Sequence, residues 1–218
     1  MSKLRVHALT VSIDGYVAGP DQTLDTPMGI GTEHLHDWMF PTRTWHQIIG
    51  EPGGSDGIDE RFAAEGFEGI GATIMGRNMF GPVRGEWAPV AGEEWRGWWG
   101  PDPVYHHPVF VLTHYEHDPI EMEGGTTFFF VTDGIESALD QARTAAGSDD
   151  IRLGGGAATV RQYLRAGLID ELHLVISPLL LGGGERLFDD DLGDAVKGYE
   201  CVEVTAGEGA THVRLTRR

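Results

Sequence analysis

The sequence predicts a single α/β domain in which helices flank a mixed, mostly parallel sheet that closes with a C-terminal antiparallel hairpin. Three observations lead to this fold class. Strand and helix patterns alternate through residues 59–177, residues 150–181 read as β-turn-α-β around a glycine turn, and two late strands follow one another closely. The 218 residues, 40% of them hydrophobic, suit one domain with a buried core.

The elements follow from local patterns, taken in chain order. In the first strand, residues 5–11, Val6, Ala8 and Thr10 alternate with their neighbours, and Asp14-Gly15 supplies turn chemistry directly afterwards. Further strands are predicted at 72–75, 109–113, 127–131, 151–153, 171–177, 199–205 and 212–216. Helices are predicted at 59–66, 135–146 and 157–166, the last two ended by Gly147 and Gly167.

Two insertions interrupt this pattern, at about 20–57 and 85–107. The first is rich in Gly and Pro and is predicted to hold a short helix within 33–49. The second carries four of the six tryptophans, namely Trp87, Trp95, Trp98 and Trp99. These indoles either wall a pocket for a flat ring, or bury an insertion or a dimer interface.

Composition excludes several classes of function. The formal net charge of −18 repels phosphate backbones and anionic lipids, so nucleic acid and membranes are poor partners. Cys201 is the only cysteine, which excludes an intramolecular disulfide and a zinc site built on several thiolates. Without a secretory leader or an apolar run long enough to span a bilayer, the sequence predicts a soluble, cytoplasmic protein.

Three short motifs stand where predicted strands end. Gly154–Gly156 lies between a strand and a helix, where glycine amides and the helix N-terminus suit an anion, or where they form a plain turn. Arg77, after Gly76, is a candidate phosphate ligand at the carboxyl edge of the sheet, or a surface arginine that pairs with carboxylates. Thr113-His114 is either a contact for an adenosine or a polar strand end.

Acid–base and metal chemistry have weaker signals. Asp14 is a candidate catalytic acid, although an Asp before Gly more commonly holds a turn. Ten histidines include three close pairs, but none forms a known metal motif, so we expect exposed or capping histidines and no metal.

In order along the chain, six segments resemble bacterial dihydrofolate-reductase-family proteins related to the reductase domain of the riboflavin-biosynthesis bifunctional protein. They read SIDGYVAG, IMGRNMF, VFVLTH, VTDGIESAL, IRLGGGAATVRQYL and LIDELHLVISPLLLGGGERLF. The resemblance covers nearly the whole chain apart from the two insertions. It implies a dihydrofolate-reductase-like fold, NADPH as the cofactor and, in the riboflavin branch, a homodimer.

The resemblance also assigns residues to the cofactor. Arg77 would meet the 2′-phosphate, and the main chain around Ala8 would meet the carboxamide. The glycine turn would lie under the pyrophosphate and near the nicotinamide. The positions that it assigns to cofactor binding are Ala8, Gly76, Arg77, Asn78, Thr113, His114, Gly154, Gly155, Gly156, Ala157 and Thr159.

The expected activity is hydride transfer from NADPH to a C=N or C=O bond of a small planar heterocycle, pterin-like or ribosylaminopyrimidine-like. Asp14, Asp37 or a bound water would deliver the proton. Riboflavin-pathway reductases carry a Glu for the substrate where this chain has Gly154, and the companion deaminase motif is absent. The alternatives are a nucleotide-binding protein without turnover and a tryptophan-lined module for aromatic ligands on the same scaffold.

Overall fold

In the computed structural model, which describes residues 2–82 and 84–218, nine strands form one sheet and two short strands pair beside it. The strands are β1 Leu4–Ser12, β2 Tyr16–Ala18, β3 Ile70–Gly76, β4 Pro108–Leu112, β5 Ile120–Glu121, β6 Thr127–Val131, β7 Asp150–Gly155, β8 Glu171–Ser177, β9 Glu185–Arg186, β10 Tyr199–Ala206 and β11 Thr211–Arg217. The helices are α1 Arg43–Ile48, α2 Ile58–Glu65, α3 Arg77–Phe80, α4 Ile135–Ala146 and α5 Ala157–Arg165, with 3₁₀ segments at Glu123–Gly125 and Asp190–Gly198.

The large sheet has the order β10-β11-β8-β1-β7-β3-β4-β6-β5. Its central strands, from β8 to β6, pair in parallel. β10 and β11 form an antiparallel hairpin that adds to β8, and β5 pairs antiparallel with β6 at the other edge. The predicted mixed, mostly parallel sheet with a C-terminal hairpin is therefore confirmed.

One face of the sheet is covered by α4 and α5. Both helices are amphipathic, and α4 buries Ala138, Leu139 and Ala142 while α5 buries Val160 and Leu164. Each fully buried Val or Leu side chain contributes about 1.5–3 kcal/mol by leaving water. This face carries the largest hydrophobic core of the molecule.

The opposite face carries two smaller hydrophobic clusters. One lies beneath the 85–107 insertion and includes Met75, Phe80 and Phe128. The other lies beneath α2 and the 33–41 turns and includes Trp38 and Val175. A cavity occupies part of the space between them, against β3 and β7.

β1 departs from the simple alternation that its sequence predicts. Its pairing with β8 shifts between Val6 and Leu9, and Ala8 has a left-handed backbone with φ +54°. The amide N–H of Ala8 donates to Nδ1 of His173 at 3.1 Å. The bulge is thus associated with a side chain on a neighbouring strand, which no local pattern in β1 could reveal.

The short helix that the sequence predicts within 33–49 is present as α1. Residues 33–41 form successive turns, and only α1 is helical. Pro41 lacks an amide donor, and Thr42 behind it caps α1 by accepting a hydrogen bond from the amide of Trp45 at 3.1 Å. No helix in the described part of the chain is long and apolar enough to cross a bilayer.

Candidate active site

The carboxyl ends of β7, β3 and β4 are adjacent, and the three strand-end motifs meet there. The register pairs Met75 with Gly155 and Gly76 with Leu112. Ligands of open α/β sheets bind at this edge, because the strand ends and the following helix N-termini surround a crevice. The structure therefore assembles Gly76-Arg77, Thr113 and the glycine turn into one candidate site.

Arg77 is the first residue of α3 and the main cation of this site. Its Nη1 donates to Oγ1 of Thr113 at 3.2 Å, and its guanidinium lies 3.1 Å from the centre of the Trp87 ring. Its Nε and Nη2 are buried and have no hydrogen-bond partner among the described residues. Arg77 thus keeps two free donors in a protein that has 34 acidic residues.

The electrostatic environment of Arg77 disfavours its charge. Burial lowers the pKa of the guanidinium, and the positive charge of nearby Arg84 lowers it further. Within residues 2–82 and 84–218, no carboxylate forms an ion pair with Arg77. An anion placed at Nε and Nη2 would satisfy both donors and neutralise the charge.

The glycine turn lies against Arg77's strand with almost no free space. A Cβ atom at Gly76 would stand 2.3 Å from Oγ1 of Thr159, and one at Gly154 would stand 3.4 Å from the Met79 side chain. Gly155 has φ +122°, a backbone conformation that favours glycine. These contacts allow the main chain of β7 to approach β3 and α3 closely.

The start of α5 points its free amides into the same crevice. Gly156 is the N-cap and offers no side-chain cap, so the N–H groups of the first turn, beginning at Ala157, have no intrahelical acceptor. The helix dipole adds partial positive charge at this end. Gly154 and Gly155 belong to β7 rather than to the turn that the sequence predicts, because β7 keeps pairing with β3 as far as Gly155.

Two residues that the resemblance assigns to the cofactor remain at the rim. Asn78 on α3 and His114 after β4 are exposed, and neither side chain has a hydrogen-bond partner within the described residues. Their roles in cofactor binding stay predictions.

Ala8 ends a buried hydrogen-bonded chain on the second face of the sheet. Its amide donates to Nδ1 of His173, Nε2 of His173 lies 3.1 Å from Nδ1 of His212, and Nε2 of His212 lies 2.8 Å from Oδ1 of Asp59. An amide N–H can only donate, so His173 carries its proton on Nε2 and His212 carries its proton on Nε2 as well. The chain therefore runs from Ala8 to the Asp59 carboxyl group with every donor matched.

Burial keeps the imidazoles of His173 and His212, and that of the adjacent His7, neutral. Desolvation lowers the pKa of His173 to about 2 and the pKa of His7, which contacts Phe62 O at 2.8 Å, to about 3. Sequence analysis expected exposed or capping histidines, and for His7, His173 and His212 that was wrong. A histidine between the apolar residues of β8 was the available signal, since β8 is buried on both faces.

Asp14 holds the turn after β1. Its carboxylate accepts from the Ser12 hydroxyl at 2.6 Å and from the amides of Leu181 and Gly182 at 3.1 and 2.7 Å. The hydrogen bond from Ser12 and those from the two amides lower the pKa of Asp14 to about 2. This is the turn-holding role that the sequence favours, and a catalytic role for Asp14 stays a prediction.

Asp37 lies in the 33–41 turns on the surface of the molecule. Its side chain is 56% exposed and contacts Nδ1 of His34 at 2.8 Å. The next residue, Trp38, is buried and donates from Nε1 to Thr10 Oγ1 of β1 at 3.0 Å. Asp37 is thus tethered near β1, but the structure shows no contact between it and the glycine turn among the described residues.

The tryptophans of the 85–107 insertion mainly bind that insertion to the domain. Indole N–H groups of Trp95 and Trp98 donate to the carbonyls of Phe80 and Met79 at 2.8 and 3.1 Å. These carbonyls end α3 and lack helical partners. Trp87 is the one of these indoles that contacts Arg77 among the described residues. Two cavities nearby have none of the four tryptophans in their walls, which include Phe67, Val104 and His106 instead.

The described part of the chain contains no set of side chains arranged as metal ligands. No three His, Cys, Asp or Glu side chains come together there in a group that could hold a metal ion.

At one edge of this mostly parallel sheet, a glycine turn, an unpaired arginine and a helix N-terminus surround a crevice of the kind in which open α/β proteins bind their ligands. The profile of the RibD C-terminal domain matches residues 6–213, and the chain belongs to that family. The family resemblance read from the six sequence segments is therefore confirmed.

Individual relatives are more distant. Uncharacterized protein YyaP of Bacillus subtilis is 31% identical over 93 residues, which are 41% of this chain and 49% of YyaP, so the chain spans about half the length of that relative. A "Putative riboflavin biosynthesis protein" from Shewanella sp. PV-4 superposes with a TM-score of 0.60 at 22% identity, over 100% of this chain and 99% of that chain, which shows the fold. A dihydrofolate reductase from Enterococcus faecalis complexed with NADP(H) and RAB-propyl gives a TM-score of 0.46 at 18% identity, over 73% and 81% of the two chains.

Proposed function

We propose that the protein is an NADPH-dependent reductase that transfers hydride to a C=N or C=O bond of a small planar heterocycle. One observation carries the proposal: Arg77 holds two buried, unpartnered donors beside Thr113 at the edge where the glycine turn ends β7. Membership of the RibD C-terminal domain family supports it.

The residues at this edge fit the cofactor's anionic groups. The planar fork of Arg77 matches a phosphate monoester, as in the 2′-phosphate of NADPH, and the Thr113 hydroxyl lies within reach of the same group. The first-turn amides of α5 and the bare backbone of Gly155 and Gly156 suit a pyrophosphate, which needs close main-chain approach. Asn78, His114 and Thr159 complete the proposed contact set.

When bound, NADPH supplies the hydride, and the protein supplies position and protons. Arg77 and Thr113 would fix one end of the cofactor, and the bulged backbone at Ala8 would orient the nicotinamide end. Asp14 is a carboxylate at neutral pH, because hydrogen bonds lower its pKa to about 2. Proton delivery therefore falls to a bound water, with Asp14 holding the turn after β1.

A second candidate function, nucleotide binding without turnover, is favoured by Gly154. Reductases of the riboflavin pathway use a glutamate there for the substrate, and this chain offers no side chain at that position. This alternative predicts the same nucleotide preference but no loss of NADPH absorbance with any pterin or pyrimidine supplied. In both cases we propose a cytoplasmic homodimer that binds a small molecule, without nucleic acid or membrane partners.

Isothermal titration of wild type and Arg77→Gln with NADPH and with NADH tests the cofactor site. Wild type is expected to prefer NADPH by about tenfold or more, since a hydrogen bond to a charged group contributes about 1.5–3 kcal/mol. Arg77→Gln is expected to lose that preference and to keep its NADH affinity. Calorimetry is preferable to fluorescence here, because Trp87 stacks on Arg77.

Arg143→Gln is the matched control, because Arg143 is an exposed arginine on α4 that pairs with Asp140 at 3.7 Å. It should bind both nucleotides as wild type does. Equal affinity of the wild type for the two nucleotides, or an unchanged preference in Arg77→Gln, would contradict the assignment of Arg77.

A further inference from the structure

A second arginine, Arg152, lacks a carboxylate partner on the face of the sheet opposite α4 and α5. It lies in β7 between Ile151 and Leu153, whose side chains enter the main core on the other face. Its Nε is buried without a hydrogen-bond partner in the described chain. The same described residues place no carboxylate within ion-pair distance of it, although Arg5 beside it pairs with Asp150 at 3.3 Å.

Arg152 lines a cavity of about 360 Å³. Thr73 and Arg152, partners in the β3–β7 register, lie at its sheet side. Phe67 and Tyr105 supply aromatic walls, and the Arg152 guanidinium lies 5.1 Å from the centre of the Phe67 ring. A second cavity of about 460 Å³ shares Phe67, Val104 and His106 with the first. Both volumes, about 360 and about 460 Å³, are within the range typical of small-molecule sites.

The walls near Arg152 carry no compensating negative charge. Burial, together with the positive charge of Arg152, lowers the pKa of His107 to about 4, so the imidazole is neutral at neutral pH. Its Nε2 is already engaged with Oγ1 of Thr73 at 2.7 Å. Burial also raises the pKa of Tyr105, which keeps that phenol protonated. An unpaired guanidinium in neutral, aromatic surroundings is costly unless an anion completes it.

The cavity lies on the face of β7 that Gly154 shares, nearer the amino ends of β3 and β4 than the glycine turn is. Side chains two residues apart in a strand share a face, so Arg152 and Gly154 face the same side of β7, about 6.6 Å apart along the strand. An aromatic ring spans a similar length. A ligand that pairs with Arg152 would extend its ring along β7 towards Met79, whose side chain lies 3.4 Å from where a Cβ atom at Gly154 would stand.

We propose that this cavity binds the anionic group of a planar aromatic ligand, a carboxylate or a phosphate monoester, with Arg152 as its counter-ion and Phe67 and Tyr105 against its ring. The assignment of this cavity as the substrate pocket rests on the proposed reductase function. Its assignment as an anion site does not. Riboflavin-pathway reductases contact their substrate with a glutamate at the position of Gly154. In this chain Arg152, two positions earlier in β7, would contact the substrate instead, and its positive charge favours an anionic substrate.

Binding of three probes to the full-length protein tests the proposal without turnover. Benzoate, phenyl phosphate and the neutral benzamide are titrated by ligand-observed NMR, with and without NADPH, against wild type, Arg152→Gln and the control Arg143→Gln. Wild type and Arg143→Gln should bind one or both anions about tenfold or more tightly than benzamide, and Arg152→Gln should lose that difference. The stronger anion identifies the ligand as a carboxylate or a phosphate.

Arginine modification keeps the test independent of the variant's folding. Phenylglyoxal is reacted with wild type, and peptides are mapped by mass spectrometry. The preferred anion should slow modification of Arg152 and leave that of Arg143 unchanged. Equal binding of benzamide and both anions by wild type, or no protection of Arg152, overturns the proposal. Anion binding without any NADPH binding would uphold this site and refute the reductase function.

Discussion

Gly76 and Thr159 show how closely single atoms are fitted at the candidate active site. A Cβ at Gly76 would lie 2.3 Å from the Thr159 hydroxyl oxygen but 3.5 Å from its Cβ. The backbone at Gly76 has φ −79° and ψ 156°, which any residue adopts. The Thr159 hydroxyl is therefore the group that would clash with the Cβ of an alanine at position 76.

Gly76→Ala is accordingly expected to destabilise the protein by about 1–3 kcal/mol, the usual cost of overpacking. Replacing Thr159 by Ala removes the clashing oxygen, so Gly76→Ala/Thr159→Ala should recover most of that loss. Urea unfolding of the two single variants and the double variant gives the coupling free energy. Strict additivity of the two single effects would show that β3 and α5 do not touch at this point.

The two unpaired arginines illustrate what a residue-level reading of the sequence can and cannot find. Arg77 was a candidate phosphate ligand because a glycine and a strand end flank it, and the family resemblance assigned it to the 2′-phosphate. Arg152 follows an isoleucine and precedes a leucine within a predicted buried strand, and nothing local marks it as unpaired. Its significance depends on residues 67 and 105, which reach the cavity only through the fold.

At the scale of elements, structure that depends on neighbouring residues was predicted accurately, and structure that depends on residues far along the chain was not. α4 and β8 begin and end where the sequence predicts, because a periodic apolar face and terminal glycine or turn residues define them. The β1 bulge was missed because the Ala8 amide in it donates to His173, 165 positions away. Likewise the hydrogen-bonded chain from Asp59 through His212 to His173 joins α2, β11 and β8. No spacing between these residues in the sequence indicates that they meet.

The buried histidines make the packing of α2 against β1 and β8 sensitive to acid. The folded-state pKa values of His7 and His173, about 3 and about 2, lie far below the unfolded value near 6.5. The unfolded chain therefore binds more protons below about pH 6.5. The resulting stability is fully present above that pH and is lost as pH falls towards the folded-state values.

We expect the free energy of unfolding to fall by up to about 1.4 kcal/mol per pH unit for each such histidine below about pH 6. His7→Gln should reduce that slope by about one histidine's share, and His34→Gln, at a side chain that is 81% exposed, should not change it. Urea titrations at a series of pH values measure the slope. A wild-type stability that is flat between neutral pH and about pH 5 would show that these rings are not buried as described.

At the scale of the whole molecule, the sheet has two unequal edges. β5 ends one edge after only two residues, whereas β10 runs for eight residues at the other and exposes Val202 and Val204 by 52% and 65%. Exposed β-branched residues on a long edge strand are a template for pairing with another strand. A second copy of this chain is the occupant that the family resemblance implies.

Val204→Lys is therefore expected to shift a dimer towards monomer in light scattering coupled to size exclusion. A lysine on an edge strand adds charge where two copies would meet. Val196→Lys makes the same chemical change at a residue that is 40% exposed outside the sheet, and it should leave the mass unchanged. A monomeric wild type, or a dimer that survives Val204→Lys, would move the interface away from β10 or remove it.

The 85–107 insertion contributes to the cavity wall without belonging to the strands that carry the nucleotide motifs. Its tryptophans dock on the last carbonyls of α3, while Tyr105 and His106 face Arg152's cavity. Evolution could thus rewrite this segment while leaving Gly76, Arg77 and the glycine turn untouched. Paralogues that keep those residues but vary in length between β3 and β4 are therefore expected to keep the same anion site at the sheet edge and to differ in the ligand that the cavity accepts. This insertion is then the segment to exchange when the ligand preference is to be changed.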